Sequence, residues 1–151
     1  MEERRARRAK VIRLSVVGVI SLGLLIVVGR GAYAKTGRVR ECMTLAEHIN
    51  PVLEEIQTLT KKHDGATYRA ASERYAKLAA LLPGLASRGN AQDVKEYADV
   101  LVSTAKALKA GSTALDGKNL AAVEQTRREL ERVVRKERTA ISKIDAYCRA
   151  N

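Results

Sequence analysis

The sequence predicts an all-α protein in which an N-terminal transmembrane or signal helix precedes an antiparallel, up-down-up-down four-helix bundle. Three observations lead there. A basic head, Arg4-Arg5-Ala6-Arg7-Arg8-Ala9-Lys10, runs into the apolar stretch Leu14 to Gly29, which is the charge pattern of an export or anchoring segment. Beyond it, apolar residues recur at three- and four-residue spacing through four separate stretches, a period that keeps one stripe of each helix facing its neighbours. Abundant alanine and little β-branched alternation favour helix over strand. The chain therefore divides into a basic cytoplasmic head (1–13), an anchor or signal segment (14–34) and an exported bundle (35–151).

The apolar run of 16 residues, or 19 if Val11 and Ile12 join it and Arg13 snorkels, lies at the short end of the roughly 17–25 residues that span a bilayer. It is long for the apolar core of a signal peptide, roughly 7–15 residues. An uncleaved anchor is the first reading. Ala32-Tyr33-Ala34 presents a small-residue cleavage pattern, so cleavage after Ala34 is the alternative, opposed by Arg30 at the end of the run. Six basic residues precede the segment, whereas Arg30, Lys35, Arg38 and Arg40 follow it. That bias keeps the N-terminus cytoplasmic and the bundle outside an inner or plasma membrane, or secreted or periplasmic after cleavage. Gly18 and Gly23 are five apart, the wrong spacing for a small-residue helix-pairing motif.

The chain carries a net +11. Residues 1–34 hold seven of the 28 basic residues and two of the 17 acidic ones, which leaves 21 against 15, a net +6, for the bundle. No aromatic residues interleave the basic ones, so nucleic acid is not an expected partner. The expected contacts are membrane lipid through residues 14–29 and an envelope protein or other anionic surface. With no Phe or Trp, the core has to be built from Leu, Val, Ile, Ala and a few Tyr.

The four stripes are Cys42, Leu45, Ile49, Val52, Ile56, Leu59; Tyr68, Ala71, Tyr75, Leu78, Leu82, Leu85; Val94, Tyr97, Leu101, Thr104, Leu108, Leu115; and Leu120, Val123, Leu130, Val134, Ile141, Ile144, Cys148. Stop and start signals separate them. Asp64-Gly65 is read as a left-handed turn with Thr67 capping the second helix. Gly89-Asn90, with Asp93 behind it, opens the third helix; Asp116-Gly117 closes it, and Asn119 caps the fourth. Short connections make sequential helices antiparallel neighbours. Pro51 and Pro83 predict bends, the second helix ending near Leu82.

Cys42 opens the first bundle helix and Cys148 closes the last. An even number of antiparallel helices brings these ends together, whereas three would leave them on the order of 35 Å apart. A Cys42–Cys148 disulfide is therefore expected, as an extracytoplasmic location permits. With no C-x-x-C and no nearby histidine, it reads as a staple and not a redox or metal site.

Catalytic patterns do not assemble. Ser103-Thr104-Ala105-Lys106 and Lys35-Thr36-Gly37 match fragments of the penicillin-recognising acyl transferases, but in the wrong order and in too short a chain. His48 and His63 both fall at the first helix and none on the fourth, so neither haem held across a bundle nor a metal centre is expected. Two constellations remain. Glu137 interrupts the fourth stripe, and counting from the disulfide sets it level with Tyr75 and Thr104, a candidate buried polar layer fixing register or lining a small niche. Arg128, Arg132, Arg135 and Arg138 form a candidate strip for an anionic partner, with Glu124–Arg128 and Glu131–Arg135 spaced for pairing. The functional expectation is a non-enzymatic, cofactor-free, membrane-tethered bundle acting as an envelope interaction, scaffold or sensing module. The alternative is a secreted small-ligand-binding bundle, marked by a cavity bordered by Tyr75, Tyr97 and Glu137.

Overall fold

The computed structural model describes residues 37–150, which form four α-helices and no strand. The basic head, the apolar run 14–29 and Ala32-Tyr33-Ala34 lie outside the described residues. No helix among those described is long and apolar enough to cross a membrane. In order, α1 spans Gly37–Thr60, α2 Gly65–Leu81, α3 Ala91–Asp116 and α4 Leu120–Arg149, with a single 3-10 turn at Leu82–Leu85 between α2 and α3.

Punctuation residues set these limits, though not all in the predicted roles. Asp64, in extended backbone, is the N-cap of α2: Thr67 N–H donates to its Oδ1 at 2.8 Å, and Asp64 N–H donates to Thr67 Oγ1 at 3.4 Å. This reciprocal capping box makes Thr67 the third helical residue instead of the cap. The left-handed residue of that connection is His63, at φ 51°, and not Asp64-Gly65. Gly65 instead leaves room for a neighbouring side chain. A Cβ there would displace the exposed Asp116 carboxylate at the end of α3. Asn90 stands at the start of α3, but its Oδ1 accepts from Ser87 N–H at 2.7 Å and so closes the preceding turn. Asn119 caps α4 as expected, accepting from Ala122 N–H at 3.1 Å. α1 continues through Pro51, whereas α2 stops at Leu81 and Pro83 sits in the first turn of the 3-10 segment, where a missing N–H is tolerated.

The core holds Tyr68, Tyr75 and Tyr97 together with Leu, Ile, Val and Ala. The predicted stripes of α2 and α3 turn inward, apart from half-buried Leu85 and Leu115. On α1 the second track moves one residue on: Leu53 and Thr60 are buried, whereas Val52 and Leu59 are only half-buried. On α4 the apolar surface begins late, and Leu120 is 48% exposed.

α3 lies against α2 on one side and α4 on the other. Rising numbers on one helix meet falling numbers on the next. Ser72 Oγ donates to the Ala105 carbonyl at 2.6 Å, and Ser112 Oγ donates to the Gly65 carbonyl at 2.6 Å. These two bonds sit one heptad apart on both helices and point in opposite senses. They require backbones to approach closely, which Ala71, Ala98, Ala105 and Gly111 permit. α1 meets α4 differently. Cys42 and Cys148 are joined by a disulfide, with Cα atoms 5.9 Å apart. Around it, Tyr147 Oη donates to Glu41 Oε2 at 2.8 Å, the Arg38 guanidinium lies 4.8 Å from the Tyr147 ring centroid, and Arg38 donates to the Ala150 carbonyl at 2.7 Å. Gly89, from the connection before α3, also abuts the Tyr147 hydroxyl. The starts of α1 and α3 and the end of α4 therefore share one end of the molecule, called here the near end.

Candidate functional site

α4 determines where Glu137 points. Leu130, Val133, Val134, Ala140, Ile141 and Ile144 are buried on either side of it. A helix that keeps this stripe inside has to carry Glu137 inside with it, because position 137 lies on the same face at three- and four-residue steps. Glu137 is 3% exposed.

Its surroundings come from α2 and α3. Tyr97, Leu101, Thr104 and Leu108 form the inward track of α3, and Tyr75 is buried on α2. Thr104 Oγ1 lies 3.5 Å from Glu137 Oε2 and 3.0 Å from the Val100 carbonyl of its own helix. A hydroxyl carries one proton. Thr104 divides that proton between the Val100 carbonyl and Glu137 Oε2, so a Glu137 carboxylate would have only a long, shared donor.

The electrostatics point the same way. Burial pushes the Glu137 carboxyl up to about 8, and the Thr104 hydroxyl pulls weakly in the other direction. Burial, followed by the nearby Glu137 charge, holds the Tyr75 and Tyr97 phenols well above their ordinary value. Burial alone pushes Tyr68 up to about 12. Around neutral pH the layer is thus a set of uncharged O–H groups inside an apolar core, the state in which buried polar groups cost least.

Of the polar layer read from the sequence, Thr104 lies beside Glu137, and Tyr75 is close enough for the Glu137 charge to bear on it. Tyr97 belongs to the same neighbourhood. The described grooves lie elsewhere. One, of about 590 Å³, runs along the outer face of α4 and includes Glu124, Arg128, Glu129 and Arg132. The other, of about 320 Å³, lies between α3 and α4 and includes Glu96, Asp99 and Lys136. Neither is bordered by Tyr75, Tyr97 or Glu137.

The arginine strip is divided. Arg128 pairs with Glu124 at 3.4 Å and Arg132 with Glu129 at 2.5 Å, while Arg135 and Arg138 are exposed farther along α4. The predicted Glu131–Arg135 pair gives way to Arg127, whose fork reaches Glu124 at 2.6 Å and also binds Glu131. Arg127 wins because it sits three residues after one carboxylate and four before the other, so one guanidinium serves both. That pairing lowers Glu124 and raises Arg127.

Two features have weaker sequence signals. The Ser72 and Ser112 cross-bonds hide in small-residue stretches, Ala71-Ser72 and Gly111-Ser112, where a serine reads as another small residue. Tyr147 lies off the fourth stripe, one position before Cys148. Among the described residues no group of three or more His, Cys, Asp and Glu is placed to hold a metal ion. No family model, curated protein sequence or solved structure matches the chain.

Proposed function

We propose that this chain is a membrane-tethered, extracytoplasmic protein of non-enzymatic type. In this reading an up-down-up-down four-helix bundle, hung from residues 14–34, works by contact as an envelope interaction, scaffold or sensing module. The observation that carries the proposal is the Cys42–Cys148 disulfide, because such bonds persist in oxidising compartments and are rare where thiols are kept reduced. The basic head and apolar run supply the route to such a compartment, so two unrelated features agree. The partner surface in this reading is the basic side of α4. Arg135 and Arg138 are its more available residues, Arg128 and Arg132 being engaged with Glu124 and Glu129.

Topology reporters fused after Asn151, one active only outside and one fluorescent only inside the cytoplasm, test the compartment. Outside activity together with an intact mass for all 151 residues is the expected result. A cytoplasmic C-terminus overturns the proposal. A mass beginning at Lys35 favours the second reading, a secreted ligand-binding bundle released after Ala34, for which Ala32-Tyr33-Ala34 is the supporting observation. Reversing charge at Arg135 and Arg138 is expected to abolish capture of an acidic envelope partner while leaving helix content unchanged.

A further inference from the structure

We infer that the connection between α2 and α3, residues 81–88, is a membrane-docking surface that seats the near end of the bundle in the headgroups of an anionic phospholipid leaflet. The inference deepens the reading above and rests on one part of it, that residues 14–29 enter a bilayer.

The first support is what this connection exposes. Residues 78–87 form the longest run without a charged residue among those described. Pro83 ends α2 and opens the 3-10 turn that carries this run towards α3. Leu78, Ala79 and Leu82 turn inward, whereas Ala80, Leu81, Pro83 and Gly84 are exposed and Leu85 is half-buried. An uncharged apolar surface with a polar rim marks a contact with protein or membrane.

The second is the charge at this end. Arg88 in the connection and Arg40 at the start of α1 are exposed, and neither has an ion pair among the described residues. The acids here are turned to other groups. Glu41 accepts from the Tyr147 hydroxyl, Asp145 pairs with Arg149, and Glu96 pairs with Lys143. Asp93 lies in the first turn of α3, where the helix dipole offsets its charge. The charge left facing outward is cationic, and basic groups beside an apolar surface are the combination that holds a protein on anionic lipid.

The third is the reach of the chain that precedes α1. The apolar run ends at Gly29 and α1 begins at Gly37, so residues 30–36 join them, and fully extended they span about 25 Å. The Cys42–Cys148 disulfide and the approach of Gly89 to Tyr147 set the connection beside the start of α1. A bilayer entered by residues 14–29 is therefore within reach of the connection, whereas the far end stands about 36 Å away along α1. Leu81, Val102 and Leu120, all exposed, mark three heights: the near end, the middle of α3 and the far end.

The chain contains no Trp, so a single introduced Trp reports alone. Full-length Leu81→Trp, Val102→Trp, Leu120→Trp and Leu22→Trp, disulfide intact, are reconstituted in phosphatidylglycerol vesicles containing brominated phospholipid, with helix content checked by circular dichroism. Quenching of Leu81→Trp is expected to exceed that of Val102→Trp and Leu120→Trp by at least about threefold. In phosphatidylcholine vesicles, or with Arg40→Glu and Arg88→Glu added, that excess is expected to fall by at least about half. Leu22→Trp separates the premise from the inference. If it is not quenched, the anchor reading fails and the docking with it; if it is quenched while Leu81→Trp matches the other two, the docking alone fails. An excess of equal size in phosphatidylcholine overturns docking to anionic lipid, and Leu81→Trp shielded from aqueous iodide but not quenched by brominated lipid overturns it in favour of a protein contact, a second copy included. Hydrogen exchange of the unaltered chain repeats the test without substitution: residues 84–89 are expected to slow by at least about threefold in phosphatidylglycerol relative to phosphatidylcholine, and residues 117–119 to stay unchanged. Equal slowing at both ends, or none, overturns the docking.

Discussion

The contacts α2–α3 and α1–α4 hold helices together in opposite ways. Between α2 and α3 the attachment is distributed: small residues bring the backbones close, and Ser72 and Ser112 each bond across to a carbonyl of the other helix. Between α1 and α4 it is concentrated at one end, where a disulfide, Arg38, Glu41 and Tyr147 form a knot. Distributed packing can be weakened only piecemeal, whereas a point attachment fails as a unit.

The sharpest way to break the contrast is to remove the staple. Replacing Cys42 and Cys148 by serine is expected to cost about 4–5 kcal/mol in the chain-entropy model for a closed loop of this length, the half-cystines being 106 residues apart. Urea unfolding of the two forms measures it. A loss below about 1 kcal/mol, well short of the chain-entropy value, means α1 is held by packing after all and the two contacts are alike.

Next in size is the pH dependence of stability. Native Glu137 keeps its proton to about 8, whereas the unfolded residue loses it near 4.5. Between those values the native state binds the extra proton, so stability is greatest below the lower value and falls as pH rises, by about 1.4 kcal/mol per unit at the steepest. Across the whole window the loss is on the order of 5 kcal/mol. Denaturant midpoints at stepped pH show it, and Glu137→Gln is expected to flatten the curve.

Smaller effects sharpen the α2–α3 side. A Cβ on Gly111 would come within 2.9 Å of Thr126 Cγ2 and 3.3 Å of the Tyr68 ring. Overpacking outweighs the gain in helix propensity, and Gly111→Ala is expected to lose about 1–2 kcal/mol by thermal or urea melting. Ser72→Ala, which removes one cross-bond but leaves the Ala105 carbonyl in its helix, is expected to lose only about 0.5–1 kcal/mol by the same measurement. A larger loss for serine than for glycine would place the strength of this contact in hydrogen bonding instead of close approach.

Much of this was legible in the chain. The α2 and α3 stripes follow the period because both helices bury a continuous apolar face. The α3 end at Asp116 and the Asn119 cap follow from local turn chemistry, and the disulfide from counting helices. Leu120 failed because an apolar residue in a first turn has no neighbour to cover it unless another element extends that far. Val52 and Leu59 yielded to Leu53 and Thr60 because a helix turns 3.6 residues per cycle and drifts off a strict heptad. The Glu131–Arg135 pairing failed because spacing allows each carboxylate two arginines, and three-dimensional reach selects between them.

By itself, the order of residues determined the helical character, the number and spacing of helices in the bundle, and the half-cystines that meet across it, all of which depend on period and on short-range geometry. Only tertiary structure decided that Glu137 lies within an apolar core beside Thr104, that two serines bridge α2 and α3, and that α1 meets α4 through polar contacts at one end. Those outcomes depend on which faces come within a few ångströms of each other, and on the desolvation that follows, neither of which a one-dimensional pattern contains.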